Sequence, residues 1–323
     1  MRATRRTVLM SLAAATLSPR AAMAQSFPSK PLTLIVPFPG GGSTDVMNRI
    51  LAEKLKELLG QTVVLDFKPG VGGNLGTEIA ARAAPDGHTM VFVTMPQIIS
   101  RSVYPKLGYD LLKDLTAVAT VLETAPVMVV HPSLGVKTVA ELVALAKTQP
   151  GKIEYGTGGN GTSAHLMGEL FKRQTGTDLL HVPYKGAAQA VTDLLSGQIK
   201  VMYETPASIV GHVKSGAVVP LAVMGPRRIG VLGQVPTSAE AGYPGLELVQ
   251  FATIMVPSAT PKSAIDTLAA ALAKIVLMPD VKERWAAIAA EPVSMTPEAS
   301  MARITSEAKR LGDIVAAANI KVE

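Results

Sequence analysis

Cysteine is absent from this 323-residue chain. That excludes disulfides, thiolate metal sites and cysteine nucleophiles. Histidine is scarce and scattered. The five, at His88, His131, His165, His181 and His212, form no H-x-x-x-H pair, so neither a zinc site nor any other metal or cofactor is expected. Aromatic residues are few, and no Lys/Arg cluster is interleaved with them, which argues against a nucleic-acid partner. There is one long apolar run, Val8 to Leu17, and it is too short to cross a bilayer as a helix. No repeat on the order of 20–50 residues recurs, so a solenoid is not expected.

That apolar run follows Arg2, Arg5 and Arg6 and precedes Ala22-Met23-Ala24, a small-x-small cleavage site. Residues 1–24 read as a secretory signal peptide cut after Ala24, which would send the mature chain to the periplasm. Thr4-Arg5-Arg6-Thr7-Val8-Leu9 resembles a twin-arginine signal, and Arg20 fits that route. Ordinary Sec export with a chance Arg pair is the alternative. The segment holds four arginines and no acid. Without it, 31 basic against 25 acidic residues become 27 against 25, and little net charge remains to select a partner.

The mature part alternates short apolar runs with amphipathic stretches, the pattern of a doubly wound α/β protein. Two places repeat one device. Leu32 to Val36 reads as a buried parallel strand, and Pro39-Gly40-Gly41-Gly42-Ser43-Thr44-Asp45 leads from it into a helix with Val46, Ile50, Leu51 and Leu55 on one face. Ile153 to Tyr155 is followed by Gly156-Thr157-Gly158-Gly159-Asn160-Gly161-Thr162-Ser163 and a helix carrying Leu166 and Leu170. Glycine lets backbone approach a ligand. The first amides of a helix lack intrahelical partners and favour an anion. Two such turns in different halves of the chain could hold one anionic group at each end of a cleft. Ordinary βα turns capped by Ser or Thr are the plain alternative. Neither turn is a nucleotide P-loop, since no Lys-Ser/Thr follows the glycines. Thr138-Val139-Ala140-Glu141 reads as a capping box, and Trp285 as a core anchor.

Further residues carry a resemblance to a known family. Val36-Pro37-Phe38-Pro39 with the glycines after it, Lys68-Pro69-Gly70-Val71-Gly72-Gly73-Asn74, Ala84-Pro85-Asp86-Gly87, Gly159-Asn160-Gly161-Thr162-Ser163-Ala164-His165, His181-Val182-Pro183-Tyr184-Lys185-Gly186 and Glu240-Ala241-Gly242 occur in order. Together they resemble the Bug-type substrate-binding proteins of tripartite tricarboxylate transporters. The resemblance implies a two-domain, type II Venus-flytrap binding protein. Its first domain would comprise residues 26–125 plus 247–323 and its second 126–246. It would be a monomer that captures a small organic acid and delivers it to membrane transporter subunits. A periplasmic sensor feeding a membrane kinase would need the same site.

Carried over by position, ligand contacts fall on Phe38, Gly40, Gly41, Gly42, Ser43, Thr44 and Asp45, with Thr94 after the third strand. The second domain would add Gly161, Thr162, Ser163, His165, Tyr184 and Glu204. Asp45 would orient amides, hydroxyls or water rather than touch an anion. Departures from the family pattern include Tyr203-Glu204-Thr205 in place of Phe-Asp-Asn, where the longer carboxylate would reach further into the cleft. Asp66-Phe67-Lys68, Thr94-Met95-Pro96-Gln97 and Ala252 after Phe251 are others. They suggest a roomier, more apolar cleft, suited to an aromatic or medium-chain (di)carboxylate. A hydrolase is disfavoured: the elbow G-x-S-x-G is absent, and Ser163 and His165 stand two apart on a helix, facing different ways.

Overall fold

The computed structural model describes residues 27–41, 43–104, 106–288 and 290–317, and only the backbone of Ser43. The signal-peptide reading and Gly42 lie outside the described residues. The chain begins with β1 (Leu32–Val36), α1 (Ser43–Leu59), β2 (Val63–Phe67), α2 (Asn74–Ala81), β3 (Thr89–Val93), α3 (Met95–Val103), a single turn α4 (Leu111–Asp114) and β4 (Leu115–Thr124). A second set follows: β5 (Val127–Val130), α5 (Val139–Thr148), β6 (Glu154–Thr157), α6 (Ser163–Thr175), β7 (Leu180–Pro183), α7 (Ala187–Leu195), β8 (Val201–Glu204), α8 (Pro206–Lys214) and β9 (Val219–Val223). The chain then returns through β10 (Gln250–Pro257), α9 (Lys262–Ile275), α10 (Pro279–Ala286), β11 (Glu291–Pro292) and α11 (Pro297–Ala317).

Two sheets result, ordered β11-β4-β10-β3-β1-β2 and β7-β6-β8-β5-β9. Each is the floor of one lobe. The chain crosses from the first sheet to the second between Thr124 and Val127, and back between Val223 and Gln250. Neither sheet is purely parallel. β1 lies parallel to β2 and β3, but β10 runs antiparallel between β3 and β4. In the second sheet β6, β7 and β8 are parallel, while β5 opposes both β8 and β9. Alternating β and α units therefore predict the parallel core of each lobe, and the strand that follows each crossing, β5 in the second sheet and β10 in the first, makes the sheet mixed.

Strands covered by helices on both faces bury most of their residues. Leu32, Leu34, Val36, Met90, Val91, Phe92 and Val93 are closed to solvent. Fully burying one such side chain is worth roughly 1.5–3 kcal/mol. Trp285 is fully buried among Leu268, Leu272 and Val281, as its core-anchor reading requires. At the start of α5, Thr138 Oγ1 accepts the Glu141 amide at 3.1 Å. Glu141 reaches back to the Lys137 amide rather than to that of Thr138, so the box closes one residue early.

Candidate functional site

The sheets decide where the helices begin. β1, β3, β6 and β8 each end in a short turn that opens α1, α3, α6 or α8. In open α/β sheets the crevice beyond the carboxyl ends of the strands is where ligands bind. A cavity of about 180 Å³ lies there, between the lobes. Thr44 of α1, Thr94 and Met95 at the start of α3, Ser163 of α6 and Thr205 before α8 all line it. Four helix N-termini thus converge, two from each lobe. The glycine turns mark two of them in the sequence, and the family resemblance adds Thr94 as an isolated contact. Thr205 has only a weak local signal: Thr205-Pro206, like Thr94-Met95-Pro96, places Pro in the first helical turn after a Thr cap.

The remaining wall comprises Phe38, Met47, Phe92, Pro96, Leu122, Thr124, Gln250, Phe251 and Ala252. No ionised side chain is among the lining residues. Thr44, Thr94, Thr124, Ser163, Thr205 and Gln250 supply neutral polar atoms, and the rest is apolar. Of the residues proposed to make the cleft apolar, Met95 and Ala252 line it. Phe67 instead packs against the first lobe's core, near Gly40.

The charges stand behind the turns. Asp45 is almost closed to solvent. Its Oδ2 accepts the Gly41 amide at 2.8 Å, and Arg49 Nε lies 2.7 Å from Oδ1. The Gly41 amide and then Arg49 hold its carboxyl below the usual range, against the opposing effect of burial. Gly41 sits at φ 91°, where a side chain would be strained. Asp45 thus orients the Gly41 amide.

The second turn repeats this arrangement with different chemistry. His165 occupies the same helical position in α6, and its Nδ1 accepts the Gly161 amide at 3.1 Å. Thr162 caps α6: its Oγ1 accepts the His165 amide and donates to Gly159 O at 2.9 Å. In the first lobe Gln97, buried in α3, accepts both the amide and the hydroxyl of Thr94 and donates to Gly72 O at 3.3 Å. It fixes Thr94 to the glycine turn after β2.

The other expected residues lie elsewhere. Tyr184 donates to Asp193 Oδ2 at 2.7 Å and packs on the second lobe's core. Burial and Asp193 push its pKa up to about 12. Glu204 does not extend into the cleft: its carboxylate folds back to accept the Thr205 amide at 2.7 Å. Burial raises its pKa, partly offset by that amide. Gly40, Gly41, Asp45, Gly161, Thr162, His165, Tyr184 and Glu204 therefore frame the turns without being cavity walls, whereas Phe38, Thr44, Thr94 and Ser163 are walls. At the site Gln250 Nε2 of the first lobe donates to Ser163 Oγ of the second at 3.1 Å. Among the described residues no group of three or more His, Asp or Glu could hold a metal ion.

Two lobes, two crossings and a cleft lined by helix N-termini define the fold of the periplasmic solute-binding proteins. Residues 47–320 match the model of the tripartite tricarboxylate transporter family receptor, and the chain belongs to that family, whose members bind solutes and are not enzymes. Protein BugT of Bordetella pertussis is 35% identical over 302 residues, covering 93% of each chain. An R. palustris protein solved with adipate superposes with TM-score 0.82 at 32% identity, over 92% of this chain and all of that one. MatC from Rhodopseudomonas palustris, solved with bound malate, gives TM-score 0.78 at 27% identity, over 90% of this chain and all of that one.

Proposed function

We propose that this receptor captures a small carboxylate with an apolar body, a medium-chain dicarboxylate or an aromatic acid. The carrying observation is a cavity walled by hydroxyls at four helix N-termini and by Phe38, Met47, Phe92, Met95, Leu122 and Phe251, with no ionised side chain among its lining residues. Hydrogen bonds to an ionised acceptor exceed neutral ones in strength. Each helix end adds about 0.3–1 kcal/mol. Several such contributions, with water excluded, reach the roughly 8 kcal/mol of a micromolar complex. The apolar wall favours methylenes or a ring between the anionic groups, and a relative solved with adipate supports that choice. Phe38, Thr44, Thr94, Ser163 and Thr205 would contact the ligand. Asp45, Thr162, His165 and Glu204 would shape the turns that do so.

In the same reading residues 1–24 direct export and are removed after Ala24. The hinge divides the chain into 26–125 plus 247–323 and 126–246. The monomeric, liganded form delivers its cargo to the membrane subunits of a tripartite tricarboxylate transporter. The crossings beside Thr124 and Gln250, both cavity residues, support a hinge that senses occupancy.

The test is a thermal-shift panel on residues 25–323. It spans C4 to C8 dicarboxylates, citrate, malate, benzoate-type acids, nicotinate and acidic amino acids. A ligand at a hundred times its Kd stabilises the folded state by about 2.7 kcal/mol. Shifts concentrated in adipate-length or aromatic acids are expected. Binding of compact hydroxy-acids alone would overturn the apolar-body assignment. A flat panel before and after unfolding and refolding, which frees any retained ligand, would overturn carboxylate capture.

A further inference from the structure

The lobe-two turn is held from beneath by two histidines. His165 Nδ1 accepts the Gly161 amide. The His165 ring stacks on that of His181, with centroids 3.9 Å apart and planes within 11°. His181 Nε2 lies 2.7 Å from Thr157 Oγ1. That hydroxyl in turn donates to Gly159 O and receives the Gly159 amide, both at 3.2 Å. One imidazole therefore grips each side of the glycine turn. Both contacts are met by neutral rings. An Nδ1 that accepts an amide carries no proton, and two imidazolium rings in face contact would repel.

We propose that His165 and His181 are positioning residues: as a neutral stacked pair they hold the turn 158–161, and through it Thr162 and Ser163, in the shape that receives the ligand. This rests on the carboxylate reading of the cleft above. It assigns His165 no contact with the ligand, and it gives His181 a role that the sequence did not suggest.

The pair also makes the two lobes unlike. The lobe-one turn is held by a carboxylate whose pKa lies below the usual range, so it survives mild acid. In lobe two, protonation of His165 would place a hydrogen on Nδ1 facing the Gly161 N–H, and the bond would be lost. The groups acting on the pair are Tyr155 of β6, stacked against His181 at 4.8 Å, and Glu169 and Lys172 of α6 itself. Tyr203 of β8 meets Tyr155 edge-on. Glu169 is engaged by the Tyr155 hydroxyl at 2.7 Å and by Lys172 at 3.1 Å, so its attraction for an imidazolium is shared. Burial dominates and lowers both histidines. With the His165 charge adding to it, His181 falls to about 4. The turn is therefore intact at neutral pH and loosens only as pH falls below the ordinary imidazole range, through the lowered pKa of His165.

Two variants separate positioning from bulk. His165→Asn keeps an acceptor near the Nδ1 position and cannot titrate. His165→Phe keeps the stacked ring and removes the acceptor. Ligand-free protein, amide-labelled with nitrogen-15, is followed by NMR from pH 7.5 to 4.5. The Gly161 amide should titrate together with the His165 ring, below pH 6.5, and stay flat in His165→Asn. Calorimetry with adipate at pH 7 should show His165→Asn within about threefold of the unaltered protein and His165→Phe weakened at least tenfold. On going to pH 5, the unaltered protein should lose more affinity than His165→Asn, a comparison in which titration of adipate itself cancels. A Gly161 amide that ignores the His165 titration overturns the proposal, as does a His165→Phe variant that binds like the unaltered protein. If adipate and the rest of the panel fail to bind the unaltered protein, the carboxylate reading fails instead, and the ligand-free titration still decides the histidine pair.

Discussion

Replacing Asp45 with Asn tests the lobe-one turn with little change in shape. The carboxylate accepts the Gly41 amide and meets Arg49. A hydrogen bond to a charged acceptor is worth about 1.5–3 kcal/mol, against about 0.5–1.5 for a neutral one. Asparagine can still accept from Gly41, so this part of the loss is about 1 kcal/mol. The Arg49 guanidinium is well exposed, and an i,i+4 pair of this kind adds only about 0.3–0.5 kcal/mol. Together about 1–1.5 kcal/mol should disappear. Near 2 °C per kcal/mol, the low end for large domains, the melting temperature should fall by about 2–3 °C. If the loss falls wholly on the binding-competent turn, ligand affinity should drop about tenfold. The pH dependence fixes the sign. The folded pKa of Asp45 lies below its ordinary 3.8, so the contribution is fully present above that value and fades as pH falls through the folded pKa. Variant and unaltered protein should therefore differ most at neutral pH and converge in strong acid. Melting curves from pH 3 to 7, with calorimetry at pH 7, give both quantities. An Asp45→Asn variant with unchanged melting and unchanged affinity would refute the role given to the Gly41 bond.

Ala252→Leu adds bulk to a wall of an already small cavity. It should cost at least tenfold in affinity for adipate-length acids, with at most about 1–3 kcal/mol of overpacking, read by calorimetry beside a melt. Gly168→Ala should destabilise, although Ala gains about 1 kcal/mol over Gly within a helix. An added Cβ would run into the Tyr155 ring beneath the histidine pair, and urea unfolding that shows added stability would contradict this packing. Trp285→Ala should lose about 3–5 kcal/mol, measured the same way, because the ring is fully buried in the first lobe.

Local signals carried much of this protein. Apolar runs of strand length, amphipathic stretches of helix length and the glycine turns between them are set by residues close in sequence. On that basis β1, β3, β6 and β8 and the starts of α1 and α6 were legible. The cleft itself depends on partners far apart in the chain. β10 enters between β3 and β4, pairing Thr253 with Val93 and Gln250 with Thr124. That insertion carries Gln250, Phe251 and Ala252 to the same end as the Thr44 and Thr94 turns. The crossover puts Ser163 and Thr205 opposite them. No periodicity shows that Thr205 joins this wall, or that Glu204 and Tyr184 satisfy themselves on Thr205 and Asp193 instead. Nor does a spacing of sixteen residues reveal that His165 and His181 lie face to face. A hydrophobic pattern specifies which side of an element is buried, and long-range strand order alone specifies which buried sides meet.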